Sequence, residues 1–261
     1  MQSGASPAAS PLLSPRHLES FARLGWVALP GFCDGRQVRD LLAWTNALTA
    51  QPEQPGRAML YREPSVTDPT TKVIQRIENF CPFHKGFDAL VRSGALIQAV
   101  GEVMGGPVCL FKDKINFKMP GGAGFAPHQD QQAGWSRYAP LFVTALVCLD
   151  RATLENGCLE MATIPRLHSL IAPEWRPMSD EEMAGIEFVP VPTEPGDVLL
   201  FDSYAPHLSK PNLTASSRRI LYLTYNLLSD GDHRDAYFSD KRKSFPPDIE
   251  REPGKTYTFR V

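Results

Sequence analysis

The stretch Phe111-Lys112-Asp113-Lys114-Ile115-Asn116-Phe117-Lys118 alternates apolar and polar side chains. Successive side chains of a β-strand point to opposite faces. The period of two therefore predicts a strand with Phe111, Ile115 and Phe117 on one face and Lys112, Lys114, Asn116 and Lys118 on the other. The polar face has two readings: a solvated surface, or cations near a cavity mouth that meet an anionic substrate or co-substrate. Val108 to Leu110 extends the strand upstream. Further strands are predicted at Leu141 to Leu149, Leu159 to Ala162, Phe188 to Val191, Val198 to Phe201 and Ile220 to Asn226. Turn signals divide them, namely Pro120-Gly121-Gly122, Asn156-Gly157 and Pro195-Gly196-Asp197. Short strands with turns between them predict a sandwich or barrel rather than βαβ units.

Working outward from these strands, Ser14-Pro15 begins a helix that runs to Leu24 and is closed by Gly25. Trp26 to Leu29 is a short strand, and Asp34 caps a second helix over Gly35 to Ala47. Residues 50–72 read as polar and turn-rich. One helical stretch is expected from Phe87 to Met104, stopped by Gly105-Gly106-Pro107, and residues 229–254 read as a surface-running tail segment. The fold class is therefore mainly β with flanking helices packed outside one sheet. Residues 1–13, rich in Ala, Ser and Pro, form a flexible tail, and residues 14–261 form a single domain.

Composition excludes several classes. Among 261 residues, Lys+Arg total 27 and Asp+Glu 29, so a net charge of −2 gives no electrostatic footprint for nucleic acid or an anionic membrane. The five cysteines are dispersed, without a CxxC, which argues against a disulfide framework or a thiolate zinc site. No run reaches the about 18–20 apolar residues of a bilayer span, and the N-terminus lacks the parts of a signal peptide. A cytoplasmic monomer or homodimer acting on a small molecule is the expectation.

His128-Gln129-Asp130 carries the chemistry. In an extended segment residues i and i+2 share a side, so an imidazole and a carboxylate converge from one strand end. His207, just beyond the predicted strand Val198 to Phe201, is the best third ligand. Two imidazoles and one carboxylate on one face of a metal suit non-haem Fe(II) and leave positions open for a 2-oxo acid and O₂. Zinc competes for such a set. Arg218, eleven residues after His207, favours the first reading, because a buried guanidinium can grip a carboxylate in two places. Trp135, Arg137 and Tyr138 wall a pocket or close the barrel end.

With His128-Gln129-Asp130 in place, three further stretches become informative: Glu155-Asn156-Gly157-Cys158-Leu159, then Ile164-Pro165 with His168, and Gly196-Asp197 leading to His207 and Arg218. Together they resemble the phytanoyl-CoA dioxygenase family across roughly residues 14–228. The opening Gly25-Trp26-Val27-Ala28-Leu29-Pro30-Gly31-Phe32 is similar too. The resemblance implies a double-stranded β-helix (jelly-roll) core and an oxygenase using Fe(II), 2-oxoglutarate and O₂ with release of succinate and CO₂. It further implies that His128, Asp130 and His207 bind iron and that Arg218 salt-bridges 2-oxoglutarate, helped by Ser209, Asn116 and Lys114, with Phe125 lining the site. Lys112, Gln129, Trp135, Arg137 and Tyr138 are the candidate substrate contacts.

His168 follows Arg166-Leu167 where the family has Gly-Ser, and reads as a structural residue rather than a ligand. Ser239-Asp240-Lys241-Arg242, the stretch Phe245 to Arg251 and the run His128 to Gln132 are similar to members grouped with 2-aminoethylphosphonate dioxygenases. That subgroup implies an aminoalkylphosphonate substrate. Hydroxylation of an acyl-CoA or a natural-product intermediate, a zinc- or manganese-dependent cupin-type hydrolase or isomerase, and an idle binding barrel remain as alternatives.

Overall fold

The computed structural model describes residues 11–258. Helix α1 (Pro15–Leu24) starts at Ser14, whose hydroxyl accepts from the His17 amide while the His17 ring accepts from the Ser14 amide. Strand β1 (Trp26–Leu29) follows, and Asp34 caps α2 (Gly35–Ala50) in the same reciprocal way with Gln37. The expected tail ends sooner than residue 13, because the Leu12 and Leu13 amides both donate to the Glu102 carboxylate at 2.9 Å. The remainder of that tail, residues 1–10, lies outside the described residues.

The stretch read as turn-rich contains a strand, β2 (Met59–Pro64), and it pairs antiparallel with β3 (Lys72–Glu78). A shift of register between Tyr61 and Arg62 breaks the period of two there, which hides the pair from a pattern search. The single helix expected over 87–104 is two, α3 (Lys85–Arg92) and α4 (Ala95–Met104), broken at Ser93-Gly94 where Gly94 has φ 87°.

Strand β4 (Val108–Lys118) is continuous, as the alternation predicts. It is followed by β5 (Phe125–His128), β6 (Val143–Cys148), β7 (Leu159–Ala162), β8 (Phe188–Val191), β9 (Val198–Asp202), β10 (His207–Ser209) and β11 (Arg218–Leu227). Among the described residues these form a seven-stranded sheet, β1-β9-β6-β11-β4-β3-β2, and a four-stranded sheet, β5-β10-β7-β8, both antiparallel. The two face each other as a jelly roll. Alternate residues of β6, β9 and β11 split between two cores. Val143, Ala145, Val198, Leu200, Leu221 and Leu223 meet the helices, whereas Leu146, Leu199, Phe201, Ile220 and Tyr222 meet Leu159 and Met161 of the other sheet.

The face assignment on β4 needs one correction. Lys112 stands opposite Thr224 and Leu110 opposite Tyr225, so Phe111 is an inserted, bulged residue. Ile115 and Phe117 join the helix-side core, while Phe111 packs with Trp135, Phe142 and Tyr237 at one end of the sandwich. The polar side of β4 is not solvated. Lys112, Asn116 and Lys118 are buried on the side facing the second sheet.

The segment 229–254 is structural rather than a surface tail. Its helix α5 (Arg234–Ser244) buries Tyr237 and Phe238 against Phe111 and Trp135, and Arg234 pairs with Asp113 at 2.6 Å. Asp113 also accepts from the Phe80 and Cys81 amides at 2.7 and 2.8 Å, so one buried carboxylate ties β4 to α5 and to the turn after β3. The five cysteines are all free, four of them buried. No helix among the described residues is long and apolar enough to cross a membrane. Because removing one partner of a buried pair strands the other, Asp113→Ala is expected to lower unfolding free energy by about 3–5 kcal/mol, read from the midpoint and slope of urea denaturation.

Candidate active site

His128 ends β5 directly opposite His207 at the start of β10, and the two rings lie 4.3 Å apart between centroids. Asp130 follows in the short 3-10 turn Asp130–Ala133, with a carboxylate oxygen 3.7 Å from His128 Nε2. One ligand atom from each of His128, Asp130 and His207 lies within 4.8 Å of the others, a spacing that can hold a metal ion. Each imidazole is oriented from behind: His128 Nδ1 lies 2.7 Å from the Ala126 carbonyl and His207 Nδ1 3.0 Å from the Ala205 carbonyl. A ring that donates from Nδ1 presents the lone pair of Nε2. Burial lowers both imidazole pKa values, His128 to about 3 with the neighbouring His207 adding to the effect, so both are neutral and competent as ligands. Burial acts the other way on Asp130, but His207, His128, Lys114 and Lys112 outweigh it and hold the acid ionised.

The inter-sheet face of β4 carries a file of polar groups past this triad. Lys114 pairs in register with Tyr222, and its amine lies 4.6 Å over the Tyr222 ring and 5.9 Å from Phe125 on β5. Burial and Lys112 together lower its pKa to about 7. One step along, Asn116 Oδ1 is buried without a hydrogen-bond partner. At the end of the strand Lys118 pairs in register with Arg218, the first residue of β11. Arg218 is 1% exposed, is hydrogen-bonded to Tyr222, and leaves Nε and Nη1 with no acceptor. The Lys118 amine donates to Ser209 Oγ at 2.8 Å, to the Gly157 carbonyl at 3.2 Å, and to the Lys210 carbonyl. Gly157 has no alternative here, since a Cβ would stand 2.1 Å from the Lys210 carbonyl oxygen and its φ is +73°.

The expected site residues therefore fall into three groups. His128, Asp130 and His207 come together. Arg218, Ser209, Asn116 and Lys114 line the inter-sheet face beside them, with Phe125 against Lys114. Gln129 points elsewhere: its amide nitrogen donates to the Ser169 and Tyr204 carbonyls and its oxygen accepts from the Ile171 amide, so its hydrogen bonding is committed to pinning loops. Lys112, Arg137 and Tyr138 line a cavity of 570 Å³ beyond Lys114, and no triad residue forms its wall. Trp135 is buried behind them, 5.5 Å from the Lys112 amine. His168 is exposed, and Arg166 in the divergent loop pairs with the buried Asp202 at 2.6 Å and docks on Phe21 of α1.

Sequence reasoning missed three features on or behind the wall of this cavity. Glu78 and Arg76 alternate about Ile77 on β3, a signal shorter than a strand-length window. Lys241 sits on α5, inside the segment read as tail. Trp175 on the cavity rim takes φ 72°, unusual for an aromatic, with its ring against Gly134.

A jelly roll with two imidazoles and a carboxylate converging between its sheets defines a mononuclear, non-haem metal oxygenase class. Residues 21–220 match the family model for phytanoyl-CoA dioxygenase (PhyH), and the chain belongs to that family. It is 41% identical over 235 residues to the 2-aminoethylphosphonate dioxygenase of an uncultured bacterium, HF130_AEPn_1, covering 90% of this chain and 89% of that one. It is 39% identical over 238 residues to the methylphosphonate hydroxylase of Gimesia maris, covering 89% and 88%. In fold it is similar to EctD from S. alaskensis, solved with 2-oxoglutarate and 5-hydroxyectoine. The TM-score is 0.72, the identity 23%, and the coverage 87% of this chain and 80% of that one. The chain is thus a dioxygenase of the Fe(II)/2-oxoglutarate class.

The placement of Gln129 has a direct consequence. Leaving three backbone groups without their partner, Gln129→Leu is expected to lower unfolding free energy by about 2–4 kcal/mol in urea denaturation, a loss of stability that a substrate contact would not show.

Proposed function

We propose that this enzyme hydroxylates an unactivated carbon of a small phosphonate, with 2-oxoglutarate converted to succinate and CO₂. In this reading His128, Asp130 and His207 hold Fe(II), and Arg218 grips the distal carboxylate of 2-oxoglutarate. The observation that carries it is the buried Arg218, whose Nε and Nη1 lack acceptors on the inter-sheet face of β11, across from the strands that carry His128 and His207. A buried unsatisfied guanidinium is costly unless an anion completes it, and a carboxylate matches its fork. A zinc or manganese hydrolase would have no use for that group. The likeness to a 2-aminoethylphosphonate dioxygenase and a methylphosphonate hydroxylase over most of the chain supports the phosphonate class.

Fe(II) with 2-oxoglutarate would supply the activation of O₂ that an unactivated C–H bond requires. The protein's own groups bind and orient. Ser209 Oγ accepts from Lys118, so its own proton is free to donate to the carboxylate that Arg218 holds. Asn116, pinned by Tyr222, offers polar atoms along the same path. Lys114 sets a positive charge beside Asp130. The Ala126 and Ala205 carbonyls keep both imidazole Nε2 atoms aimed at one point.

Succinate release with methylphosphonate, 2-aminoethylphosphonate, amines, small acids and acyl thioesters tests the reading. Turnover is expected with the phosphonates, and loss of it in Asp130→Ala. Turnover with an acyl thioester alone would contradict the proposal. Arg218→Met is expected to raise the 2-oxoglutarate KM by about 100-fold or more, because a buried charge-assisted contact is removed.

A pH dependence follows from Lys118, whose pKa is lowered to about 7 by burial and by Arg218. Free Lys118 loses its proton as pH rises through 7, whereas a bound dicarboxylate favours the charged amine. Binding then takes up a proton, so 2-oxoglutarate affinity is expected to fall between pH 7 and 9, by at most about tenfold per unit. Anaerobic binding titrations at several pH values should show this slope flattened in Lys118→Met.

A further inference from the structure

The end of the sandwich away from Arg218 concentrates positive charge around one acid. Glu78 is wholly buried and meets three cations: Arg76 at 2.8 Å, Lys241 from α5 at 2.5 Å and Lys112 at 3.7 Å. Burial opposes ionisation of Glu78, yet Lys112, Lys241 and Arg76 together hold it well below the usual carboxylate range. Lys114 stands next in the file, opposite Glu78 in the β3–β4 register. Glu78 therefore faces four cations, with Asp130 beside Lys114 and Asp240, paired to Arg137 on the cavity wall, as further acids nearby. Further compensation comes from Gln75, whose Oε1 accepts from Arg76, and from the Tyr237 hydroxyl 3.5 Å from the Lys241 amine. Aromatic faces add to it, with Lys112 over Trp135 and Tyr237 and Lys241 over Tyr61 and Tyr237, all at 5.5 to 5.8 Å. Buried charge in excess is expensive, and a fold that keeps it has an anion to receive.

Geometry says where that anion would lie. Lys112 and Lys241 both line the 570 Å³ cavity, while Arg76 and Glu78 stand behind them. Along β4 the same face runs Lys112, Lys114, Asn116, Lys118, at about 6.6 Å per pair of residues, so Lys112 and Lys118 are roughly 20 Å apart. Lys114, between them, is the one facing Asp130. The Lys118–Arg218 end suits one carboxylate, and a second anion at Lys112 would sit on the opposite side of the triad.

We propose that Lys112 and Lys241, set in place by Glu78 and Arg76, form the subsite for a tetrahedral oxyanion, the phosphonate head group of the substrate, with its neighbouring carbon on the side that faces Lys114 and the triad. This rests on the phosphonate reading above and adds its recognition site. The C-terminal helix thereby becomes part of the substrate-binding apparatus.

The test uses the Fe(II)-loaded enzyme and methylphosphonate. Lys241→Met and Lys112→Met are each expected to raise the methylphosphonate KM by about 30-fold or more, and Lys241→Arg to recover about tenfold of that loss. Formation of the visible charge-transfer band on adding 2-oxoglutarate anaerobically reads the opposite end of the site, and is expected at the same 2-oxoglutarate concentration in each variant. In the unmodified enzyme inorganic phosphate is expected to compete with methylphosphonate, and acetate at equal concentration is not. This arm needs no variant to fold. Methylphosphonate KM values within about threefold of the unmodified enzyme in both Met variants, or non-competitive inhibition by phosphate, would overturn the subsite. An unmodified enzyme that releases no succinate with any phosphonate would instead overturn the function it rests on.

Discussion

Positive charge enclosed between two sheets is the constraint around which this protein is arranged. Lys112, Lys114, Lys118 and Arg218 project from adjacent strands into the same interior, and the hydrogen-bond ladder between β4 and β11 fixes their order. An interior of this kind is stable only where each cation meets an acceptor. Lys118 meets the Gly157 and Lys210 carbonyls and Ser209, and Lys112 meets Glu78. Arg218 keeps two nitrogens without acceptors. The places where compensation is incomplete are the places where an anionic ligand is proposed. A long ordered file of cations thus runs past the candidate metal triad of the opposite sheet, and in the proposed reading its two ends take co-substrate and substrate.

The scaffold serves that order. Pairing of β5 with β10 sets His128 opposite His207, and a shift of one residue in that pairing would carry one imidazole to the other face. Gln129, between His128 and Asp130 in sequence, faces away and ties the loops at Ser169, Ile171 and Tyr204 to the strand end. His128 and Asp130 are thus held by the same short segment that anchors their surroundings. On the opposite sheet Asp113 points to the helix side of β4 and draws in α5, which then delivers Lys241 to the cavity.

Much of this was legible in the residues. The alternation from Phe111 to Lys118 and the turns at Asn156-Gly157 and Pro195-Gly196 point to a sandwich or barrel. The spacing of His128, Asp130, His207 and Arg218 points to the triad that the fold brings together, and the family resemblance implies the jelly roll. What escaped was non-local or irregular. Bulges at Phe111 and between Tyr61 and Arg62 interrupt the period of two, so the local pattern neither marks β2 nor gives the face of Phe111. The helix over 87–104 kept its apolar period across Gly94, although the chain turns there. Helix α5 owes its place to Arg234–Asp113 and Lys241–Glu78, pairs more than a hundred residues apart that no local pattern encodes.

A crystal structure of the enzyme soaked anaerobically with Fe(II) and 2-oxoglutarate, with anomalous scattering used to find the iron, tests the central claim most directly. The account predicts one iron bound by His128, Asp130 and His207, with the far carboxylate of 2-oxoglutarate on the Arg218 guanidinium. Iron elsewhere in the chain, or that carboxylate lodged at Lys112 and Lys241 instead, would contradict it.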